Sequence, residues 1–217
     1  MNHELIRIPA DDVHMEALLE LSADHQGLVL FATGIGLGSS HHNPRHTYMA
    51  KVLHERGIGT LRLDLLTLTE DLDYQSRFDI TLITHRLLIA TYWVKLHTPA
   101  ARRLPLGYFG ASTGAAAALQ ACAALDNEID AIVSSGGRPD LAGNHELAKV
   151  KAPTLLTVGS RDEDVLDLNR EAFAQLNGVK QLSVIDGATH QFEEAGALEE
   201  VARQSANWFS QYLSKPK

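Results

Sequence analysis

The stretch Leu106-Gly-Tyr-Phe-Gly110-Ala-Ser112-Thr-Gly114-Ala-Ala-Ala-Ala118-Leu-Gln-Ala-Cys122-Ala-Ala-Leu125 passes abruptly from one periodicity to another. Leu106–Phe109 is a short apolar run of strand character, and Ala115–Leu125 is built of strong helix formers. Between them lies Gly110-Ala-Ser112-Thr-Gly114, the pattern Gly-x-Ser-x-Gly. A very sharp strand-to-helix turn lifts a serine hydroxyl clear of a sheet. Side chains two residues away on either side would collide in that turn, and glycines relieve the collision. A helix that begins at the serine also aims its first N–H groups toward developing negative charge. The pattern alone fits an ordinary Gly/Ser turn equally well; the strand before it and the helix after it favour the serine turn.

Outward from this segment, short apolar runs alternate with longer helical patterns. Leu5–Ile8 and Met15–Leu21 read as strands joined by a turn around Pro9–Asp12. Gly27–Ala32 is a continuous apolar run, the mark of a strand buried on both faces. A Gly-rich loop, Thr33 to Asn43, follows, and Pro44 suits the first turn of a helix running to about Arg56, with Gly57 as its stop. Thr60–Leu65 is the next strand, and Arg77 to about His97 has helical periodicity. Beyond the serine segment, Ala131–Ser134, Thr154–Val158 and Gln181–Ile185 are strands, and Val165–Leu176 and Leu198–Leu213 are helices. A short segment around His145–Lys149 lies between them. Eight strands, with helices between nearly all of them after the third, predict a mainly parallel sheet covered on both faces. A chain of 217 residues fits one domain, 1–217, able to hold itself together without disulfide or metal.

A net charge of −8 argues against binding a phosphate backbone, so no nucleic-acid partner is expected. The single cysteine, Cys122, excludes an intrachain disulfide and sits among alanines as a small packing residue. The start Met1-Asn2-His3-Glu4 lacks the basic-then-apolar pattern of a signal peptide. No apolar run approaches the roughly 18 residues of a membrane span. The expectation is an acidic, cytoplasmic domain with no membrane partner.

A reactive serine needs a base, and the base needs an orienting acid, in the chain order Ser, Asp, His. Gly159-Ser-Arg-Asp162 places an acid after the next-to-last strand, and Asp186-Gly-Ala-Thr-His190 places a histidine after the last. Both lie beyond the same edge of the sheet as Ser112, where open α/β sheets build their sites. Asp164 and Asp167 are nearby rivals to Asp162, but Asp164 could serve only if the following helix starts later, and Asp167 should lie within it. In the expected mechanism Ser112 attacks an acyl carbonyl and His190 takes its proton and delivers it to the leaving group. Water then releases the acyl group. The oxyanion donors are the backbone N–H groups of Thr113 and, in the loop after the third strand, Ile35.

Taken together, these segments resemble the dienelactone-hydrolase-like α/β-hydrolases over nearly the whole chain. The likeness is carried by Phe31-Ala-Thr-Gly-Ile-Gly-Leu-Gly-Ser-Ser40, Asn43-Pro-Arg45, Leu61-Arg-Leu-Asp-Leu-Leu66, Tyr108-Phe-Gly-Ala-Ser-Thr-Gly-Ala115, Gly136-Gly-Arg-Pro-Asp-Leu-Ala142, Val158-Gly-Ser-Arg-Asp162 and Gly187-Ala-Thr-His-Gln-Phe-Glu-Glu194. It implies an α/β-hydrolase fold with the same triad, Ser112, Asp162 and His190. The chain departs from the family in carrying Ser112 where dienelactone hydrolases proper have cysteine. It also has Thr33-Gly34 in place of the usual His-Gly, and a longer loop with Leu37-Gly38 as the insertion. The short stretch Gly137–Ala152, where lids are often inserted, predicts an open site without a large lid, suited to small or short-chain esters, lactones or thioesters. Gly34, Gly36, Arg45 and Arg138 are candidate substrate contacts; the arginines could meet a substrate carboxylate or brace loops.

Three other readings compete. Gly34-Ile-Gly36-Leu-Gly38 with Asp64 could bind a dinucleotide, but its third glycine falls one place early and the helix starts late. His41, His42 and His46 could hold a metal, but Pro44 interrupts a helical ligand pair and no acidic cluster completes the shell. The expectation is therefore an ester hydrolase with no cofactor and no metal, acting on a small-molecule ester. A non-catalytic binding protein on the same fold is the alternative outside enzymes. Oligomeric state is not written in these residues.

Overall fold

The computed structural model describes residues 2–33 and 43–213. Eight strands form one sheet: β1 (Asn2–Ala10), β2 (Val13–Leu21), β3 (Gly27–Thr33), β4 (Ile58–Leu63), β5 (Leu106–Ala111), β6 (Ala131–Ser135), β7 (Thr154–Gly159) and β8 (Lys180–Ile185). Their order is β1-β2-β4-β3-β5-β6-β7-β8. β1–β2 and β2–β4 run antiparallel, and every other neighbouring pair is parallel. The hairpin at one edge closes through Asp11, which stands at φ 51° in the turn.

Alternation along the central strands divides the core. Leu28, Leu30 and Ala32 of β3 face one layer, with Ile83 and Leu87 of α4 (Ile80–His97) and Ala116–Leu119 of α5 (Thr113–Ala124). Val29 and Phe31 face the other, with Met49 and Leu53 of α1 (Pro44–His54) and Val201 and Phe209 of α8 (Ala197–Tyr212). A strand buried on both faces has no polar side to show, which is why β3 reads as an unbroken apolar run.

The expected elements are present with shifted ends. β4 spans Ile58–Leu63, not Thr60–Leu65, because its ladder with β3 runs from Gly27↔Ile58 to Phe31↔Arg62. Beyond it, the Leu65 carbonyl accepts from Arg86 Nη1 at 2.9 Å and leaves the sheet. The helical stretch from Arg77 is two helices, α3 (Tyr74–Phe78) and α4, broken at Asp79, whose side chain caps α4 by accepting from Leu82 N–H at 2.9 Å. A further short helix, α2 (Leu68–Leu72), precedes them. Between β6 and β7 lie only a four-residue 3-10 turn, Pro139–Ala142, and the four-residue α6 (Asn144–Leu147), so no large lid is inserted there. α7 (Glu163–Gln175) follows β7. Among the described residues no helix is long and apolar enough to cross a membrane.

Candidate active site

Ser112 stands between β5 and α5 with φ 52° and ψ −128°. That region is sparsely populated by residues with a side chain, and the turn is tight enough to force it. A Cβ on Gly110 would lie 2.6 Å from Ala115 Cα and 2.9 Å from Ala115 N, so no side chain fits there. The six residues Thr113–Ala118 are all buried, which lets α5 lie close on the sheet and fixes the direction of its N-terminus. Ser112 O accepts from Ala115 N–H at 3.2 Å, closing the first turn of the helix.

Asp162 precedes α7 as its N-cap residue, yet its side chain makes no capping hydrogen bond. The carboxylate is instead directed at the histidine: Asp162 Oδ2 lies 2.6 Å from His190 Nδ1. The carboxylate is largely buried, with 15% of its side chain exposed, and the imidazole is 39% exposed. A neutral imidazole that donates Nδ1–H to this carboxylate keeps its lone pair at Nε2, the tautomer a general base requires. Asp164 lies inside the first turn of α7, and Asp167 is paired with Arg170 at 2.8 Å, so neither rival reaches the histidine.

The loop that carries His190 is held from both sides. Glu194 accepts from Thr189 Oγ1 at 2.7 Å and from Thr189 N–H at 3.1 Å, and these hydrogen bonds hold its carboxyl below the usual carboxylate range. Arg45, in the first turn of α1, reaches across to Gln191 Oε1 and to Glu193 Oε1, the latter at 2.7 Å. Its guanidinium is thus engaged in bracing the histidine loop. Arg138 is likewise committed: it binds Asp140 through two nitrogens at 2.9 and 2.8 Å, a fork that raises its own pKa.

The segment Gly136–Arg138, just after β6, touches both halves of the site. A Cβ on Gly136 would lie 3.0 Å from His190 O, and Arg138 N–H donates to Ser112 O at 3.0 Å. The serine turn and the histidine loop therefore meet on one short connection. Behind it is Asn169 of α7, fully buried, which the sequence reading missed. The one available signal was a polar residue on a helix face otherwise lined by Leu166, Ala172 and Leu176. Thr113 begins α5, where its N–H is free of intrahelical partners. Ile35, Gly34 and Gly36, and with them His41 and His42, lie outside the described residues. His46 lies on α1 with its ring edge-on to Phe31, at 6.1 Å between ring centroids.

The sheet order and the serine turn define an α/β-hydrolase. A dienelactone hydrolase from Anabaena variabilis is 44% identical, covers 98% of both chains and superposes with a TM-score of 0.90. The chain therefore belongs to the dienelactone-hydrolase-like α/β-hydrolase family. Est1E from Butyrivibrio proteoclasticus has the same fold at 15% identity, with a TM-score of 0.81 over 97% of this chain and 99% of its own. Two curated Mycobacterium tuberculosis proteins, each named "Putative phosphoribosyl transferase", are 46% identical over 216 residues. That match takes in 100% of this chain and 48% of theirs, so the chain spans about half the length of these relatives. No family model matches the sequence.

Proposed function

We propose that this protein is a serine hydrolase that cleaves small or short-chain carboxylic esters through an acyl-enzyme on Ser112. The observation that carries the reading is the 2.6 Å contact between His190 Nδ1 and Asp162 Oδ2, which directs Nε2 away from the carboxylate. In the proposed reaction His190 Nε2 takes the Ser112 proton as Oγ attacks the acyl carbonyl. The imidazolium, stabilised by Asp162, then protonates the leaving oxygen. Water, deprotonated by the same nitrogen, attacks the acyl-enzyme and frees Ser112. The Thr113 N–H, with Ile35 N–H as second donor, stabilises the oxyanion; losing one such donor costs about 3–4 kcal/mol of transition-state stabilisation. Identity of 44% to the Anabaena dienelactone hydrolase supports the hydrolase class, and a lactone, being a cyclic ester, is opened by the same acyl transfer to Ser112. The absence of a large lid between β6 and β7 supports short acyl groups.

The test is a fluorophosphonate probe on the pure protein, with the adduct located by peptide mass spectrometry. Labelling at Ser112 that disappears in His190→Ala establishes an activated serine. A folded protein that takes no label means an inactive triad and favours the binding-protein alternative. The transferase name of the longer relatives supports a second reading, transfer of a phosphoribosyl group. Release of pyrophosphate from phosphoribosyl pyrophosphate, unaffected by Ser112→Ala, would favour it.

A further inference from the structure

Asn169 is fully buried on the inner face of α7, between Leu166 and Ala172, where the helix pattern calls for an apolar residue. Burying an amide there is unfavourable unless its hydrogen bonds are made. Its Nδ2 donates to the Gly137 carbonyl at 3.0 Å and to the Val165 carbonyl at 2.8 Å. Its Oδ1 is buried with no hydrogen-bond partner among the described residues. The opposite amide orientation would set Oδ1 against two carbonyl oxygens, so the chemistry of the neighbours fixes the assignment.

The Gly137 carbonyl belongs to the same peptide plane as the Arg138 N–H. That N–H donates to the Ser112 carbonyl at 3.0 Å. The Ser112 carbonyl in turn shares its peptide plane with the Thr113 N–H, the proposed oxyanion donor. Two peptide groups are therefore strung in series, amide to carbonyl, from Asn169 to Thr113. Hydrogen bonds in such a chain polarise one another, and each donor accepted upstream strengthens the N–H downstream. The first plane has little freedom to turn: a Cβ on Gly137 would lie 2.2 Å from Ser134 Oγ and 2.4 Å from Ala115 Cβ.

We propose that Asn169 is a positioning residue for the oxyanion hole, acting through the Gly137–Arg138 and Ser112–Thr113 peptide groups to orient and polarise the Thr113 N–H. The inference rests on the hydrolase reading above. Asn169 touches neither substrate nor reacting atoms. Its effect belongs to the tetrahedral state, where charge has reached the carbonyl oxygen, and not to substrate binding.

Asn169→Leu and Asn169→Ala both remove the donor, the first filling the space and the second leaving it open. Each is compared with wild type for turnover of a short-chain ester, for melting temperature, and for inhibition by a trifluoromethyl ketone. Such a ketone adds the serine to form a charged hemiketal and so reads the oxyanion hole directly. The expected result is a kcat about tenfold lower with KM within about twofold, and a matching loss of ketone affinity. In the Leu variant the loss of the unpartnered Oδ1 offsets part of the loss of the donor to the Gly137 carbonyl, so its melting temperature should stay closer to wild type than that of the Ala variant, which also leaves a cavity. Unchanged kcat in whichever variant folds would overturn the proposal. So would a kcat loss that follows melting temperature while ketone affinity holds. A wild-type protein that neither takes the fluorophosphonate label nor turns over ester overturns the hydrolase reading and this one with it.

Discussion

At Ser112 the backbone is held at φ 52° and ψ −128° by the packing of α5 on the sheet, and a side chain in such a conformation costs about 1–3 kcal/mol. Ser112→Gly removes that cost, so we expect a variant stabilised by roughly 1 kcal/mol, read as a melting temperature higher by about 2–4 °C, that takes no fluorophosphonate label. A lower melting temperature would show that the serine side chain contributes more to packing than the strain removes. Asp162→Asn should leave the fold intact while kcat falls by about 10⁴-fold, because the amide no longer selects the Nδ1–H tautomer of His190. A loss of tenfold or less would mean that another group orients the imidazole. Arg45 leads to a different expectation. Its guanidinium is bound to Gln191 and Glu193 of the histidine loop, so Arg45→Ala should slow esters with and without a free carboxylate alike. A loss confined to carboxylate-bearing esters would give Arg45 a place in substrate recognition. The placement of Ser112, Asp162 and His190 beyond the strand ends was legible because each follows a strand marked by an apolar run. Asn169 was not. The contact that ties it to the serine turn is with a backbone carbonyl 32 residues away, and no spacing or composition encodes a contact of that kind.

Among the elements, α2 shows what a short run of sequence conceals. None of its five residues is buried, so it has no apolar stripe to betray it. It is held instead by polar contacts: Thr67 accepts from Glu70 N–H at 3.3 Å, Glu70 Oε2 accepts from Thr67 N–H at 2.8 Å, and Arg86 grips both Glu70 oxygens at 2.5 and 2.6 Å. The Arg86 fork and the Thr67 bonds hold the Glu70 carboxyl at about 2. Glu70→Ala should therefore free residues 67–73, seen as amide exchange accelerated far more in that segment than in the sheet, with a loss of overall stability of about 1–3 kcal/mol because buried Arg86 loses its carboxylate partner. Uniformly faster exchange across the sheet would show that α2 is coupled to the core and not merely clamped to it. The same physics explains the other departures at this scale. Strands and long helices were legible because burial imposes a period of 2 or 3.6 on their residues. The break at Asp79 was not, because Ile80 continues the apolar spacing across it while the aspartate side chain caps a new helix.

At the scale of the whole molecule, acid should weaken the fold in two steps, and the upper step begins with a histidine. His54, at the end of α1, is partly buried with its ring stacked 5.9 Å from that of His25, and its Nε2 lies 2.9 Å from Thr60 Oγ1. Burial lowers its pKa from 6.5 to about 4; Glu20 pulls the other way, while His25, Arg62 and His3 add to the depression. Beneath it Arg62 pairs with Glu20 at 2.9 Å and donates to Thr47 Oγ1 of α1 at 2.7 Å, so the cationic partner this carboxylate can use is already supplied. The folded state thus keeps His54 neutral where the unfolded chain would protonate it. Between pH 6.5 and about 4 the unfolded state binds more protons, and stability falls as the pH falls. Partial exposure reduces the effect to roughly 1–2 kcal/mol over that window. His25, also depressed chiefly by burial, acts in the same direction. Glu70 opens the lower step: its folded carboxyl is held at about 2, so its contribution is present above 4.5 and is lost as the pH falls through 2. Denaturant melts at successive pH values separate the two. His54→Gln retains a group able to bond Thr60 but cannot titrate, so its stability should decline less than wild type between pH 6.5 and 4 and in parallel below. Identical slopes for the two proteins through the upper window would place the acid sensitivity elsewhere, and the Glu20–Arg62 pair would then be the next group to remove.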